Sequence, residues 1–344
     1  MENDNLRPKG LENFFGQSNI VERTITALKA AKIKGDAFPH VIMSGPPGLG
    51  KTTLAAIIAN EMDVPFLKVL STSVRNDAIV ESILAKIPMH GYDIKTGKIE
   101  DGHEIIPTVI FLDEIHRLPM QVMETLYTVL EDNEICLKRM NYDSRRVESQ
   151  TFWVPKFTLI GATNYLGSLP KPFIDRFGLH FNFEIYDIED ILKVVMRSAS
   201  ASKISITKDG AVEIAIKSRG VPRLANHFLG KTYDNTIAST GKVISHLTKE
   251  HVCAMFISEE IDNEGLDKRD RALLTYLAQT SKPIGAKSLA QAIDDDEETL
   301  VNTIEPYLVR QGFIVRTGSG RVITEKGQEH IGINKRGQLY PKLK

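Results

Sequence analysis

Gly45, Gly48, Gly50, Lys51 and Thr52 fall in the run GPPGLGKT, which has the spacing G-x-x-x-x-G-K-[ST]. An apolar run, Val41-Ile42-Met43, precedes it and an apolar helical pattern, LAAIIA, follows. That strand–loop–helix context is what a phosphate cradle requires. The glycines let backbone N–H groups close around an anion, and the following helix aims the positive end of its dipole at the same point. Lys51 then reaches the β- and γ-phosphates of a nucleotide, and the Thr52 hydroxyl takes a Mg²⁺ position. A glycine-rich turn with no ligand is the alternative, and both flanks count against it.

A second apolar run, TVIFL, ends in Asp113-Glu114. Such a run fits a buried strand of a parallel sheet, whose ligands lie beyond the carboxyl ends of the strands. Asp113 is therefore placed to hold Mg²⁺ and Glu114 to activate or orient water for hydrolysis. A solvated turn is the bland reading of the pair. A third run, FTLIGA, ends in Thr163-Asn164, and the Asn164 amide could orient the attacking water. Arg176, in the loop Asp175-Arg176-Phe177, has no evident task in its own site. It is either an arginine finger for a neighbouring copy or a surface ion pair with Asp175. Arg223, after Gly220-Val221-Pro222 at a helix start, is either a contact to the nucleotide or a capping residue.

These residues must be held by strands alternating with helices. Helical spacing runs from Ile20 to about Lys34 and again through Leu118, Val122, Leu126, Val129 and Leu130. Residues 135–154 alternate around a polar tip and read as a β-hairpin. Residues 89–106, with three glycines and scattered charges, read as a loop or small hairpin inserted into the alternation. From Tyr186 the pattern becomes all-helical: one helix from Ile188, a second with Thr207 as N-cap, a third with Pro222 in its first turn, and a fourth opened by Thr248. After a polar hinge near Asp262, residues 266–324 read helix, helix, helix and two short strands about Thr317-Gly318-Ser319-Gly320, the order of a winged helix. Arg316 and Arg321 flank that tip and could meet DNA backbone phosphates. A winged helix used for protein contacts alone stays open. The acids Asp294-Asp295-Asp296, just ahead of the helix expected at 297–311, argue against inserting that helix into a major groove. The expected divisions are 1–185, 186–262, 263–330 and a basic tail, 331–344.

The chain has 344 residues, 42% of them hydrophobic and 25% charged, with a formal net charge of -1. This is an ordinary globular composition for two or three domains, and bulk charge does not by itself bring nucleic acid to it. The two cysteines, Cys136 and Cys253, are far apart in sequence, lack ligand spacing and read as packed, reduced thiols. His40, His90, His103 and His116 also lack metal-ligand spacing and read as surface or packed histidines. No stretch reaches membrane-spanning length, so a soluble cytoplasmic protein with no membrane association is expected.

Taken together, the Leu6-Arg7-Pro8-Lys9 segment, Gly16-Gln17, GPPGLGKTT, FLDEIHRL, FTLIGATN, DRFG, SRGVPRLAN and EPYLVRQGF resemble the RuvB family over nearly all of residues 6–324, in the same order. The resemblance implies an AAA+ P-loop NTPase core with a parallel sheet (α/β class), a helical lid and a C-terminal winged helix. It implies ATP and Mg²⁺ as cofactors and ATP hydrolysis as the activity. Lys51 and Thr52 then take the Walker A roles, Asp113 and Glu114 the Walker B roles, Asn164 sensor 1, Arg176 the arginine finger and Arg223 sensor 2. Arg7, Thr53, Tyr186 and Pro222 are carried to the nucleotide with the three glycines.

The family also implies a hexameric ring on duplex DNA that drives Holliday junction branch migration. A RuvA-like junction-binding partner would grip hairpin 135–154. Five departures mark a divergent member, such as a phage or mobile element could carry. Asn164 stands where threonine is usual, Ile174 replaces an arginine, the hairpin tip lacks the family's small residues, 89–106 looks inserted, and His227-Phe228-Leu229-Gly230-Lys231 stands where the family is arginine-rich. A loader or remodeller related to clamp loaders is the alternative function.

Overall fold

Three uninterrupted apolar runs set the central sheet. The computed structural model describes residues 6–88, 92–93, 95, 98–99, 106–141, 146–280 and 282–332. Most of the insertion 89–106, the hairpin tip 142–145 and the tail beyond 332 lie outside them. The sheet is built from β1 (Val41–Ser44), β2 (Phe66–Leu70), β3 (Val109–Asp113), β4 (Thr158–Thr163) and β5 (Leu179–Asn182). Their order is β2-β3-β4-β1-β5, all parallel. Strands β1 and β4 are buried along their whole length and β3 over all but Asp113, as central parallel strands covered on both faces must be. The edge strand β5 carries no strand pattern in the sequence. His180 and Asn182 interrupt its apolar pattern, and only Phe181 is buried.

Because all five strands run the same way, their carboxyl ends share one edge. The register sets Ser44 beside Thr163 and Asn182, and Leu70 beside Asp113. Helices α1 (Ser18–Lys34), α2 (Lys51–Met62), α3 (Asp77–Leu84) and α4 (Met120–Asp132) accompany the sheet. Val122, Leu126 and Val129 of α4 pack with Ile110 and Leu112 of β3, with Val80 and Ile83 of α3 and with Phe173. Burying each of these side chains contributes about 1.5–3 kcal/mol.

The hairpin Glu134–Asn141 and Arg146–Trp153 is antiparallel, and its base is seated in the same core through Ile135 and Phe152. Since Ile135 takes the inward face, strand alternation turns Cys136 outward. Cys136 is exposed and Cys253 half-buried, which corrects the expectation of two packed thiols. Between residues 89 and 106, Tyr92–Asp93 pairs with Lys98–Ile99 as a short antiparallel ladder.

The chain folds into two compact units. One holds residues up to Lys203 together with Val221–Asn226; the other holds Ile204–Gly220 and everything from His227 onward. Helix α5 (Ile188–Ala201) thus belongs to the sheet-bearing unit, as does the first turn of α7 (Pro222–Thr240).

In the second unit, α6 (Lys208–Lys217) starts at Thr207, whose side chain accepts the Gly210 N–H. It packs with α8 (Lys249–Ser258). A two-residue parallel ladder, Ser205–Ile206 with His246–Leu247, interrupts the expected all-helical region.

The last part of this unit contains α9 (Lys268–Ala278), α10 (Ala286–Ala292) and α11 (Glu305–Arg310), then the wing strands Ile314–Thr317 and Gly320–Ile323. Its core is Leu273, Leu274, Leu289, Leu300, Leu308 and Phe313. Ahead of α11 the helix widens into a π turn over Leu300–Ile304, which accommodates Pro306, a residue without an N–H for an α-helical bond. Arg219 enters this unit in a left-handed conformation, φ 59°. Its guanidinium donates to the Gly265 carbonyl and to buried Asp270 and lies 4.6 Å from the Tyr307 ring. No helix among the described residues is long and apolar enough to cross a membrane.

Candidate nucleotide site

The phosphate loop leaves β1 at Ser44 and enters α2 at Lys51. Gly48 has φ 82°, and a Cβ there would lie 2.8 Å from Val221 Cγ1 and 3.1 Å from Arg223 Cβ. Only glycine lets the loop turn here with the 221–223 segment against it. The Arg223 N–H donates to the Gly48 carbonyl at 3.3 Å, so Pro222 and Arg223 border the loop. Tyr186 is buried and its hydroxyl donates to the Leu49 carbonyl at 3.1 Å. Burial raises the Tyr186 pKa, so the phenol stays protonated. A Cβ on Gly50 would touch the Phe14 ring, which sets Phe14 beside Tyr186 at the mouth of the loop. Arg7 is exposed, and the neighbouring Leu6 carbonyl accepts from Arg197 Nη2 at 2.5 Å.

Lys51 is only 9% exposed. Its ammonium donates to the carbonyls of Gly45 (2.5 Å) and Pro46 (2.9 Å) and to Asn164 Oδ1 at 3.0 Å. Two residues 113 positions apart are thus joined at the head of the sheet. Burial pulls the Lys51 pKa down to about 8; the Asp113 carboxylate opposes that shift and the Arg223 charge adds to it. An ammonium felt by both groups, under a glycine loop and at a helix start, fits a polyphosphate.

Asp113 ends β3, with Lys68 Nζ 3.8 Å from its carboxylate. Glu114 is left-handed, φ 55°, and pairs with Arg117 at 3.1 Å. Thr52 and Thr53, in the first turn of α2, are half-buried. Thr52 and Asp113 supply the hydroxyl and carboxylate oxygens that suit a hard divalent cation. Arg176 is not drawn into this group. It is 38% exposed and pairs at 2.7 Å with Glu131 of α4, rather than with Asp175.

Glu305, the first residue of α11, is fully buried and accepts from both proposed DNA-contacting arginines of the wing, from Arg316 at 2.7 Å and from Arg321 at 2.8 and 3.0 Å. The Arg321 side chain is 17% exposed and its guanidinium is taken up by this pair, whereas the Arg316 side chain is 50% exposed. His40 is a packed histidine whose Nδ1 accepts the Leu159 N–H.

Nothing in the sequence alone marks Glu305, Arg219 or Thr163 as functional or gives His116 a role. Their partners lie 11 to 51 residues away, and no spacing rule reaches that far.

Family models match three consecutive segments: the ATPase family associated with various cellular activities at 41–185, the RuvB AAA lid domain at 186–257, and the RuvB C-terminal winged helix domain at 263–332. Among solved structures, Thermotoga maritima RuvB, described as a Holliday junction branch migration motor, is 32% identical over 95% of this chain and 98% of its own, with a TM-score of 0.77. Two substituted forms of that protein are also 32% identical, covering 94% of this chain and 98% and 97% of their own, with TM-scores of 0.78 and 0.77. With an ATPase sheet, a RuvB lid and a RuvB winged helix matched in order along one chain, this protein is an AAA ATPase and belongs to the RuvB family.

Proposed function

We propose that this protein is an ATP-driven DNA motor that moves four-way junctions as a hexameric ring around duplex DNA. The observation that carries the reading is the joining of Lys51, Asn164 and the 222–223 segment around one phosphate loop, while Arg176 faces elsewhere from a surface position. A site that gathers all but its last cation suits completion by a neighbouring subunit.

In this reading Lys51 and the loop amides bind the ATP phosphates, and Arg223 lies against the same loop. Thr52 and Asp113 hold Mg²⁺, which when bound neutralises charge on the β- and γ-phosphate oxygens. Glu114 takes a proton from the attacking water and Asn164 orients that water. Arg7, Thr53, Tyr186 and Pro222 line the remainder of the nucleotide. Arg176 reaches the site of the adjacent copy. Hydrolysis then shifts residues 186–262 against 1–185 and carries the winged helix, 263–330, along DNA. Arg316 meets the backbone phosphates, and Arg321 with Glu305 fixes the wing that presents it. Hairpin 135–154 meets a RuvA-like junction-binding protein, and the cytoplasm is the compartment where such a motor works.

The test is ATP turnover with a four-way junction, linear duplex or primer-template, each with and without a RuvA-like partner, and with Glu114→Gln as the blank. ATP-dependent dissociation of the junction into its duplex arms, lost in the blank, is the expected result. Turnover stimulated only by primer-template and a sliding clamp would replace this reading with that of a clamp-loader-like protein.

A further inference from the structure

The loop that carries Glu114 is fastened to the loop that carries Asn164. Ile115 is fully buried in the space left by Gly161 of β4: a Cβ on Gly161 would lie 2.5 Å from Ile115 Cδ1. One residue on, His116 Nδ1 is 3.0 Å from Thr163 Oγ1, in a bond that either ring tautomer can make. Thr163 is itself buried, and its hydroxyl also accepts the Tyr165 N–H at 2.9 Å. The His116 ring stands edge-on to Tyr165, with centroids 5.1 Å apart. These ties bracket Asn164 on both sides and hold Glu114 from its C-terminal side. Glu114 occupies left-handed backbone space, φ 55°, which a glutamate adopts only where its surroundings impose it.

We infer that His116 is a positioning residue for hydrolysis: through Thr163 it sets the distance between the Glu114 carboxylate and the Asn164 amide. Both groups must meet the same water, and a misplacement of about 1 Å in such a pair costs about a hundredfold in rate. His116 itself touches neither nucleotide nor water in this scheme. The chemistry of the bond requires a polar atom at the Nδ1 position, so asparagine replaces it and alanine does not. The inference rests on the proposed roles of Glu114 and Asn164.

The experiment measures kcat for ATP hydrolysis and, separately, the Kd of a fluorescent ATP analogue. The variants are His116→Ala, His116→Asn, Thr163→Val, Thr163→Ser and the double substitution of His116→Ala with Thr163→Val. Glu114→Gln and Asn164→Ala serve as controls. The expected result is a fall in kcat of about ten- to a hundredfold for His116→Ala and Thr163→Val, with Kd held within about twofold. Recovery is expected in His116→Asn and Thr163→Ser, and the double variant should be no worse than either single one.

A parallel loss of kcat and nucleotide affinity would overturn the inference and leave His116 a packing residue. So would additive single effects, or full activity in His116→Ala. If the two controls kept full turnover, the reading of the site itself would fall. If they lost turnover while His116→Ala did not, only the inference about His116 would.

Discussion

Raising the pH from 7 to 9 should weaken nucleotide binding through Lys51. Buried under the loop, this lysine has its pKa pulled down to about 8. The charged fraction of the free protein is then about nine-tenths at pH 7 and about one in eleven at pH 9. Bound phosphates favour the ammonium, so the complex keeps the proton over the range where the free protein has lost it. Binding therefore takes up a proton, and affinity falls as pH rises. The loss between pH 7 and 9 comes to about tenfold, or about 1.4 kcal/mol. For folding the sign is the opposite. The unfolded chain holds the extra proton between pH 8 and 10.5, so this lysine's contribution to stability rises with pH across that window.

The assay is the Kd of a fluorescent ATP analogue bound to Glu114→Gln, titrated at half-unit steps of pH. Lys51→Arg, whose guanidinium stays charged throughout, should bind with no inflection near pH 8. Arg223→Ala removes a neighbouring positive charge and should move the inflection upward. A flat profile from pH 7 to 9.5, or an unchanged inflection in Lys51→Arg, would refute the assignment of the titrating group.

Two further outcomes are expected. Glu305→Ala strips the buried acceptor from Arg316 and Arg321 and should destabilise the wing by about 3–5 kcal/mol. Amide exchange at Phe313 and Ile323 would then quicken on the order of a hundredfold or more, and protection like that of the unsubstituted protein would contradict the pairing. Mixing Arg176→Ala with Lys51→Ala subunits, each inactive alone, should restore activity at about a quarter of ring interfaces by random assortment if Arg176 acts on its neighbour. Assembled mixtures that recover none would remove that role from Arg176.

The sequence by itself determined the local chemistry of this protein. Gly45 to Thr52 is contiguous, its glycines are needed for backbone reasons, and its flanking strand and helix are strongly periodic, so the cradle was legible residue by residue. The apolar runs ending at Asp113 and Asn164 were legible for the same reason, because a strand buried on both faces has to be apolar throughout. The order of motifs was enough to imply the lid and the winged helix.

Tertiary structure decided what those motifs face. The polar edge strand β5 exists because β1 offers it a partner, not because its own pattern demands it. Lys51 meets Asn164, and His116 meets Thr163, only when β1, β3 and β4 are laid side by side. The same holds for charge. Two arginines at a glycine-rich tip read alike in sequence, yet buried Glu305 takes up Arg321 and leaves half of the Arg316 side chain in solvent. Spacing rules reach along one helix or strand, whereas a buried carboxylate selects its partners through space, because leaving either charge unpaired away from water costs several kcal/mol.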